Sequence, residues 1–388
     1  MEPLRIRPFW PFFSLAALDA IAGVSIWLLP VLGFDPANLN GTPLAFWHRQ
    51  ELLFGMAPAM FTGFILTALP RWTRSPPVPA VIVAGLVLVW IAARIAHVFL
   101  PALAGAAAAL SVGLLALFVA YRAAAARDSR NVKVVAILTL LALGSLLAGS
   151  EPIDAPDEVG SRLGLAAILG LLMVVGGRIV PSVTQAYAGK RGNAFPPIWE
   201  NGIERASAMS AALALAAWIT VPAAEITGFA CAAAALVQTA RLANWQFWRV
   251  IAKPEILVLH AGYAWIPAGF ALLSAGLLIP DYSWSQASLH AWTAGAMGMC
   301  SLGVMSSMIR RHTRTAFKPQ PLLSAAYACA FVAVVSRLEA IFSSSARAEW
   351  LNLSAMAWVS AFTLFILFIG RTLPLRYRLL AKNYPAGA

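Results

Sequence analysis

His48 and Glu51 stand three residues apart in Trp47-His48-Arg49-Gln50-Glu51, directly before an apolar run from Leu52 to Leu69. On a helix that spacing puts an imidazole and a carboxylate on one face, near where the helix leaves water. Ionisable groups there are costly and usually face a packed interior, where they serve a ligand, an ion or a proton. The chain has only five histidines, and His97, His260, His290 and His312 also lie in or beside apolar segments. Arg94 precedes His97 by three residues, again on one helical face. Neutral imidazole ligates haem iron and copper, and it relays protons.

Haem would add two needs: an aromatic and aliphatic wall, and cations for its propionates. Arginine suits carboxylates because its planar fork donates two parallel hydrogen bonds. Trp47, Phe54, Trp72, Tyr263, Trp265 and Trp292 lie close to the histidines in sequence, and Arg49, Arg94 and Arg178 are the available cations. Against this stands a plainer reading: one intramembrane histidine is often a helix–helix hydrogen-bonding residue, and Trp or Tyr at a span end an interface anchor. Several histidines sharing span ends with arginines and a carboxylate weigh towards a site.

The elements that must position these groups follow from composition. Of 388 residues, 60% are hydrophobic and 11% charged, with a mean hydropathy of +0.76, whereas a soluble domain carries about 25% charged residues. The fold class is all-α, a polytopic helical membrane protein with residues 1–388 forming a single integral membrane domain. Apolar runs predict twelve spans, at 12–32, 46–69, 79–100, 102–120, 132–150, 162–180, 207–224, 226–241, 255–279, 287–308, 321–341 and 351–370. Most meet the roughly 20 residues needed to cross the hydrocarbon core. Cys231, Cys300 and Cys329 lie inside apolar stretches without paired spacing and read as small core residues. The N-terminal apolar run reads as a first span, not a cleaved signal.

Charge tests this count. Of the 28 Lys and Arg residues, 23 fall on the side of the N-terminus, Arg49, Arg162 and Arg347 fall opposite, and Arg94 and Arg337 lie within spans. That bias is the positive-inside pattern and predicts both termini cytoplasmic. The net charge of +12 has the same origin, with attraction to anionic lipid, and is no sign of nucleic-acid binding. Acidic residues lean the other way; the Glu151–Glu158 cluster reads first as a solvated loop. On this topology His48, His97 and His290, with Glu51 and Arg94, share the outer level, while His260 and His312 lie at the cytoplasmic level.

Trp47-His48-Arg49-Gln50-Glu51-Leu52-Leu53-Phe54-Gly55, continuing through Thr62-Gly63-Phe64 to Ala68-Leu69-Pro70-Arg71-Trp72-Thr73, resembles the signature of NnrS-type membrane proteins. The resemblance recurs at Gly176-Gly177-Arg178-Ile179-Val180-Pro181, at Leu259-His260-Ala261-Gly262-Tyr263-Ala264-Trp265 and at Leu289-His290-Ala291-Trp292-Thr293-Ala294-Gly295-Ala296, with a weaker echo at Arg311-His312-Thr313-Arg314. It implies a haem- and copper-associated protein of the bacterial nitric-oxide response, in the inner membrane. His48, Glu51, Arg178, His260 and His290 match their blocks directly. Two departures stand out. Gln50 occupies the place of the family's second histidine in Trp-His-x-His-Glu, which speaks against copper because an amide is a poor ligand for it. Arg-His-Thr-Arg replaces Gly-His-Thr-Gly around His312.

The expectation is therefore a haem b protein that handles nitric oxide. His48, His260 and His290 are the candidate haem ligands, with His312 a further metal candidate. Arg94 and Arg178 are expected on propionates or a bound anion, and Glu51 is the proton carrier of any reduction to nitrous oxide. Nitric oxide, membrane lipid and an unidentified electron donor are the expected partners, and apolar surface on every span leaves room for a homodimer interface. Two rivals remain. One is a twelve-helix proton-coupled transporter using Asp19, Arg337 and Glu339, although no internal repeat relates the two halves. The other is a haem-based nitric-oxide sensor without turnover.

Overall fold

In lipid every backbone N–H and C=O must be satisfied internally, and a helix does this within one segment. The structure, a computed structural model, describes residues 7–29, 38–39, 42–151, 158–192, 202–279, 281–313, 315 and 318–383. Its helices are α1 (Phe9–Ser25), α2 (Leu44–Glu51), α3 (Ala57–Trp72), α4 (Ala80–Phe99), α5 (Pro101–Ala125), α6 (Val132–Ser150) and α7 (Val159–Lys190). There follow α8 (Gly202–Thr220), α9 (Glu225–Asn244), α10 (Pro254–Leu278), α11 (Tyr282–His290), α12 (Cys300–His312), α13 (Pro321–Phe342) and α14 (Arg347–Asn383). Two π-helical segments, π1 (Leu52–Met56) and π2 (Ala291–Met299), join α2 to α3 and α11 to α12 without a break. A two-stranded antiparallel ribbon, β1 (Asn38–Leu39) and β2 (Thr42–Pro43), leads into α2.

Among the described residues ten helices are long and apolar enough to cross a membrane: α1, α2–π1–α3, α4, α5, α6, α7, α9, α10, α13 and α14. The chain is thus an all-α, multi-pass membrane protein. The other two expected spans, 207–224 and 287–308, are also helical but fall short of that apolarity. α8 opens with Glu204 and Arg205. In α11–π2–α12, Ser288, Ser301 and Ser306 are fully buried against protein rather than lipid, so that helix does not need an apolar surface. Glu151 and Glu158 are described; Asp154, Asp157 and Arg314 lie outside the described residues.

Burial separates an interior from a periphery. The apolar window of α2–π1–α3 is 89% buried, against 33% for α4, α5 and α6. α10 is the hub of the second half, packing on α7, α9, α11, π2, α12 and α13, while α1 packs on π1, α3 and α14. Peripheral helices present Val81, Leu88, Leu117 and Leu236 outward, as lipid-facing positions should. Small residues let some of these helices approach closely. A Cβ on Gly105 of α5 would overlap the Gly149 backbone of α6, and one on Gly160 of α7 would overlap the Ala148 backbone.

Candidate functional site

The two π-helical segments begin immediately after the two histidine motifs, π1 after His48–Glu51 and π2 after His290. A π turn widens the helix and breaks the i→i−4 ladder, which often marks a functional position. At π1 the neighbouring helix supplies side-chain donors to the backbone. Trp90 Nε1 donates to the Gly55 carbonyl at 3.0 Å, and Arg94 Nη2 to the Phe54 carbonyl at 3.1 Å. At π2, Trp292 Nε1 donates to the Ile266 carbonyl at 3.1 Å, one residue before the helix-interior Pro267 of α10.

Arg94 also ties α4 to Glu51. Its Nη1 donates to Glu51 Oε2 at 2.9 Å, and His97 Nδ1 is hydrogen-bonded to the same oxygen. His97 stacks on Trp47, with ring centroids 5.9 Å apart. Asp19 of α1 interacts with the Glu51 carboxyl and lies within the field of Arg94. Asp19, Glu51 and His97 are all buried. A cavity of about 40 Å³, lined in part by Thr42, Gln50, Arg94, His97 and Ser145, adjoins this cluster. Gln50 Nε2 donates to the Ala148 carbonyl at 3.4 Å.

His48 and Glu51 share a helical face, but their functional atoms part. His48 Nδ1 donates to the Gly23 carbonyl of α1 at 2.7 Å, and Trp27 meets the ring edge-on at 5.6 Å. His290 Nδ1 donates to the Gln286 carbonyl at 3.0 Å. A carbonyl only accepts, so both imidazoles carry their proton on Nδ1 and leave Nε2 as the free nitrogen. His48 and His290 lie within electrostatic range of each other, and the charge of Arg337 from α13 reaches both rings. All three side chains are half-buried, and Arg337 Nη1 is buried without a hydrogen-bond partner among the described residues.

The remaining predicted residues lie elsewhere. His260 Nε2 is bonded to Thr184 Oγ1 at 2.8 Å, and that hydroxyl donates to the Val180 carbonyl. His260 Nε2 is therefore the donor, and its buried Nδ1 has no partner among the described residues. One turn on, Tyr263 donates to Gln238 Oε1 at 2.7 Å and accepts from Arg241 Nη1 at 2.5 Å, while Arg241 Nη2 pairs with Glu204 at 2.5 Å. His260 lies six residues before Ile266, the α10 residue that Trp292 meets, so this network sits about 9 Å along the helix axis from that contact. His312 Nδ1 donates to the Met308 carbonyl at 2.8 Å, and its ring contacts Phe9. Arg178 is exposed, packs over Trp72 and lies within the field of Arg130 and Asp128.

The sequence profile of the family described as NnrS protein matches residues 3–376, nearly the whole length. The chain belongs to the NnrS family. No curated protein matches it. In this NnrS chain the family-like blocks supply His48 and Glu51 from α2, His260 from α10 and His290 from the end of α11. The fold brings the first, second and fourth of these towards one end of the bundle and leaves His260 apart.

Two participants there, and one polar network elsewhere, were not assigned from the sequence. Asp19 enters the sequence reading only as a charge of the transporter alternative, yet it interacts with Glu51. Arg337 and Glu339, two residues apart, read as charges on different helix faces that serve only the transporter alternative, yet the charge of Arg337 reaches both histidines while Glu339 is exposed. The Gln238–Tyr263–Arg241 network gave no warning beyond a lone arginine at the end of an apolar run. For Asp19 the available signal was a single carboxylate in an apolar span.

Proposed function

We propose that this protein binds a b-type haem through His48 and His290 in the bacterial inner membrane and handles nitric oxide there, as protection from nitrosative stress. The observation that carries this reading is the matched state of the two imidazoles. Each has Nδ1–H fixed by a backbone carbonyl, the arrangement that orients a histidine ligand and leaves Nε2 to coordinate. The unpartnered Nη1 of Arg337 supports it, because a buried guanidinium nitrogen without an acceptor is costly and a propionate would supply one. Neither described cavity, of about 40 and about 10 Å³, would take a porphyrin. We assign it to the edge of the bundle where the half-buried rings of His48 and His290 lie. His260 and His312 are alternative ligands on the opposite level.

Copper fits less well. Among the described residues no group of three or more His, Cys, Asp or Glu side chains could hold a metal ion, and Gln50 is turned to Ala148. No step is assigned to copper.

When bound, haem supplies an iron able to bind nitric oxide and exchange electrons. The protein's own contributions are to hold the group through imidazole, to neutralise its carboxylates through Arg337, and to deliver protons from Glu51. If two nitric oxide molecules are reduced, two electrons and two protons yield nitrous oxide and water, with electrons from a membrane donor. The test is an optical spectrum of the detergent-purified protein, oxidised, reduced and treated with nitric oxide, with metal analysis on the same sample. A reducible Soret band that shifts with nitric oxide is expected. Nitric-oxide binding without consumption in the presence of a reductant would make the protein a sensor. A colourless protein that does not take up haem would overturn the proposal in favour of a transporter.

A further inference from the structure

We propose that Asp19, Glu51, Arg94 and His97 form a buried proton-binding site, in which the two carboxyl groups share one proton and His97 is its port to the adjoining cavity. The fixed charges require it. Two carboxylates and one guanidinium leave a net negative charge among apolar neighbours, and carboxylates in contact cannot both ionise in a low-dielectric site. The groups acting on Asp19 are Glu51 and Arg94, and those acting on Glu51 are Arg94, His97 and Asp19. From the same helix as Glu51, Arg49 is engaged by Glu158 and His48 by Gly23. One added proton makes the cluster neutral.

Two unsatisfied atoms show where that proton sits and how it enters. Asp19 Oδ2 is buried, with the residue 6% exposed, and meets no donor among the described residues. A carboxyl contact with Glu51 lacking a donor is what an unplaced bridging hydrogen leaves behind. His97 is 5% exposed, and its Nε2 has no partner among the described residues. Were the ring an imidazolium, that N–H would be buried without an acceptor; a neutral ring leaves only a lone pair there, which costs less. The resting proton therefore belongs to the carboxyl pair, and His97 Nε2 is the open acceptor. Thr42, Gln50 and Ser145 give the cavity polar walls, and about 40 Å³ is room for a water, which needs about 10–15 Å³ of such volume. A proton arriving from that side forms Nε2–H. The Nδ1–H bond then breaks towards Glu51, a carboxyl O–H forms there, and the ring resets by exchanging tautomers.

This deepens the role given to Glu51 and rests on that reading only for the proton's destination. The experiment is infrared spectroscopy of the full-length detergent-purified protein across pH, in H2O and D2O. It needs neither haem nor nitric oxide, so its failure would leave the His48–His290 reading standing. At neutral pH the wild type should show a protonated-carboxyl band that shifts in D2O and is lost in both Asp19→Asn and Glu51→Gln. In His97→Phe the band should persist but exchange into D2O about 100-fold more slowly, the scale of a lost acid–base carrier. Carbon-13 labelling of aspartate and glutamate in the wild type identifies the band even if a variant fails to fold. Absence of the band, or its survival in both carboxyl variants, overturns the shared proton; unchanged exchange in His97→Phe overturns the port.

Discussion

The His48 ring of α2 is bonded across the bundle to the Gly23 carbonyl of α1, Nδ1 to oxygen at 2.7 Å. The bond fixes both the tautomer and the direction of the free nitrogen. His290 reaches the same tautomer locally, through the carbonyl four residues before it. Two helices distant in sequence therefore present equivalent nitrogens beside one arginine.

Haem content should follow that pairing. His48→Ala and His290→Ala should each purify with most of the haem lost, whereas His260→Ala, whose Nε2 is held by Thr184, should retain it. The haem-to-protein ratio, read as a pyridine haemochrome, checks this. Full retention in His290→Ala would remove that residue as a ligand.

Arg337→Gln tests the neighbouring cation. The side chain keeps polarity but cannot neutralise a carboxylate, and a hydrogen bond to a charged group is worth about 1.5–3 kcal/mol. Haem should therefore leave at least about tenfold faster when apomyoglobin is offered as the acceptor. An unchanged loss rate would place the propionates elsewhere.

These placements mark how much of the site could be read from the chain. Arg94 and His97 were legible because i, i+3 spacing on one helix fixes a shared face, and both do meet Glu51. Asp19 and Arg337 were not, since periodicity gives the face of a helix but not which neighbour that face meets. The π turns were hidden as well: one inserted residue re-aims everything beyond it, and Leu52–Met56 carries no composition that announces it. For the fold, apolar runs gave the lipid-facing helices directly. They were a weaker guide to α11–π2–α12, whose serines are buried by protein.

Gly55 offers a steric test of the Asp19–Arg94 approach. A Cβ there would collide with Asp19 Oδ2 and Arg94 Nη1, whereas Gly113 of α5 has nothing within 4 Å. Gly55→Ala should lose about 1–3 kcal/mol through overpacking. Gly113→Ala should be neutral or slightly stabilising, since alanine is the better helix former. Thermal unfolding in one detergent compares the two; equal midpoints would mean that the cluster yields freely.

Tyr263→Phe probes the second polar network. Removing the hydroxyl takes away the donor to Gln238 Oε1 and one acceptor of Arg241, all within the buried core. Leaving a buried polar group unpaired costs about 1–3 kcal/mol, so the unfolding midpoint should fall while haem content stays unchanged. Loss of haem in this variant would instead bring His260, three residues away, into the binding site.

The number of crossings can be decided at one loop. If α8 and α11–π2–α12 both cross, the segment holding Arg249 and Lys253 lies on the same side as the N-terminus. If neither does, that segment lies opposite while both termini remain together, so a reporter on the C-terminus alone could not tell twelve spans from ten. Two observations favour the larger count. Arg249 and Lys253 would otherwise violate the positive-inside bias, and α8 exposes Met209 and Leu213 at 65% and 66%, which suits lipid and not water. Single cysteines at Arg249 and Ser343, in a background without Cys231, Cys300 and Cys329, should react oppositely with a membrane-impermeant maleimide on intact cells. Ser343 should be labelled from outside and Arg249 only after lysis. Labelling of Arg249→Cys on intact cells would establish the ten-span arrangement.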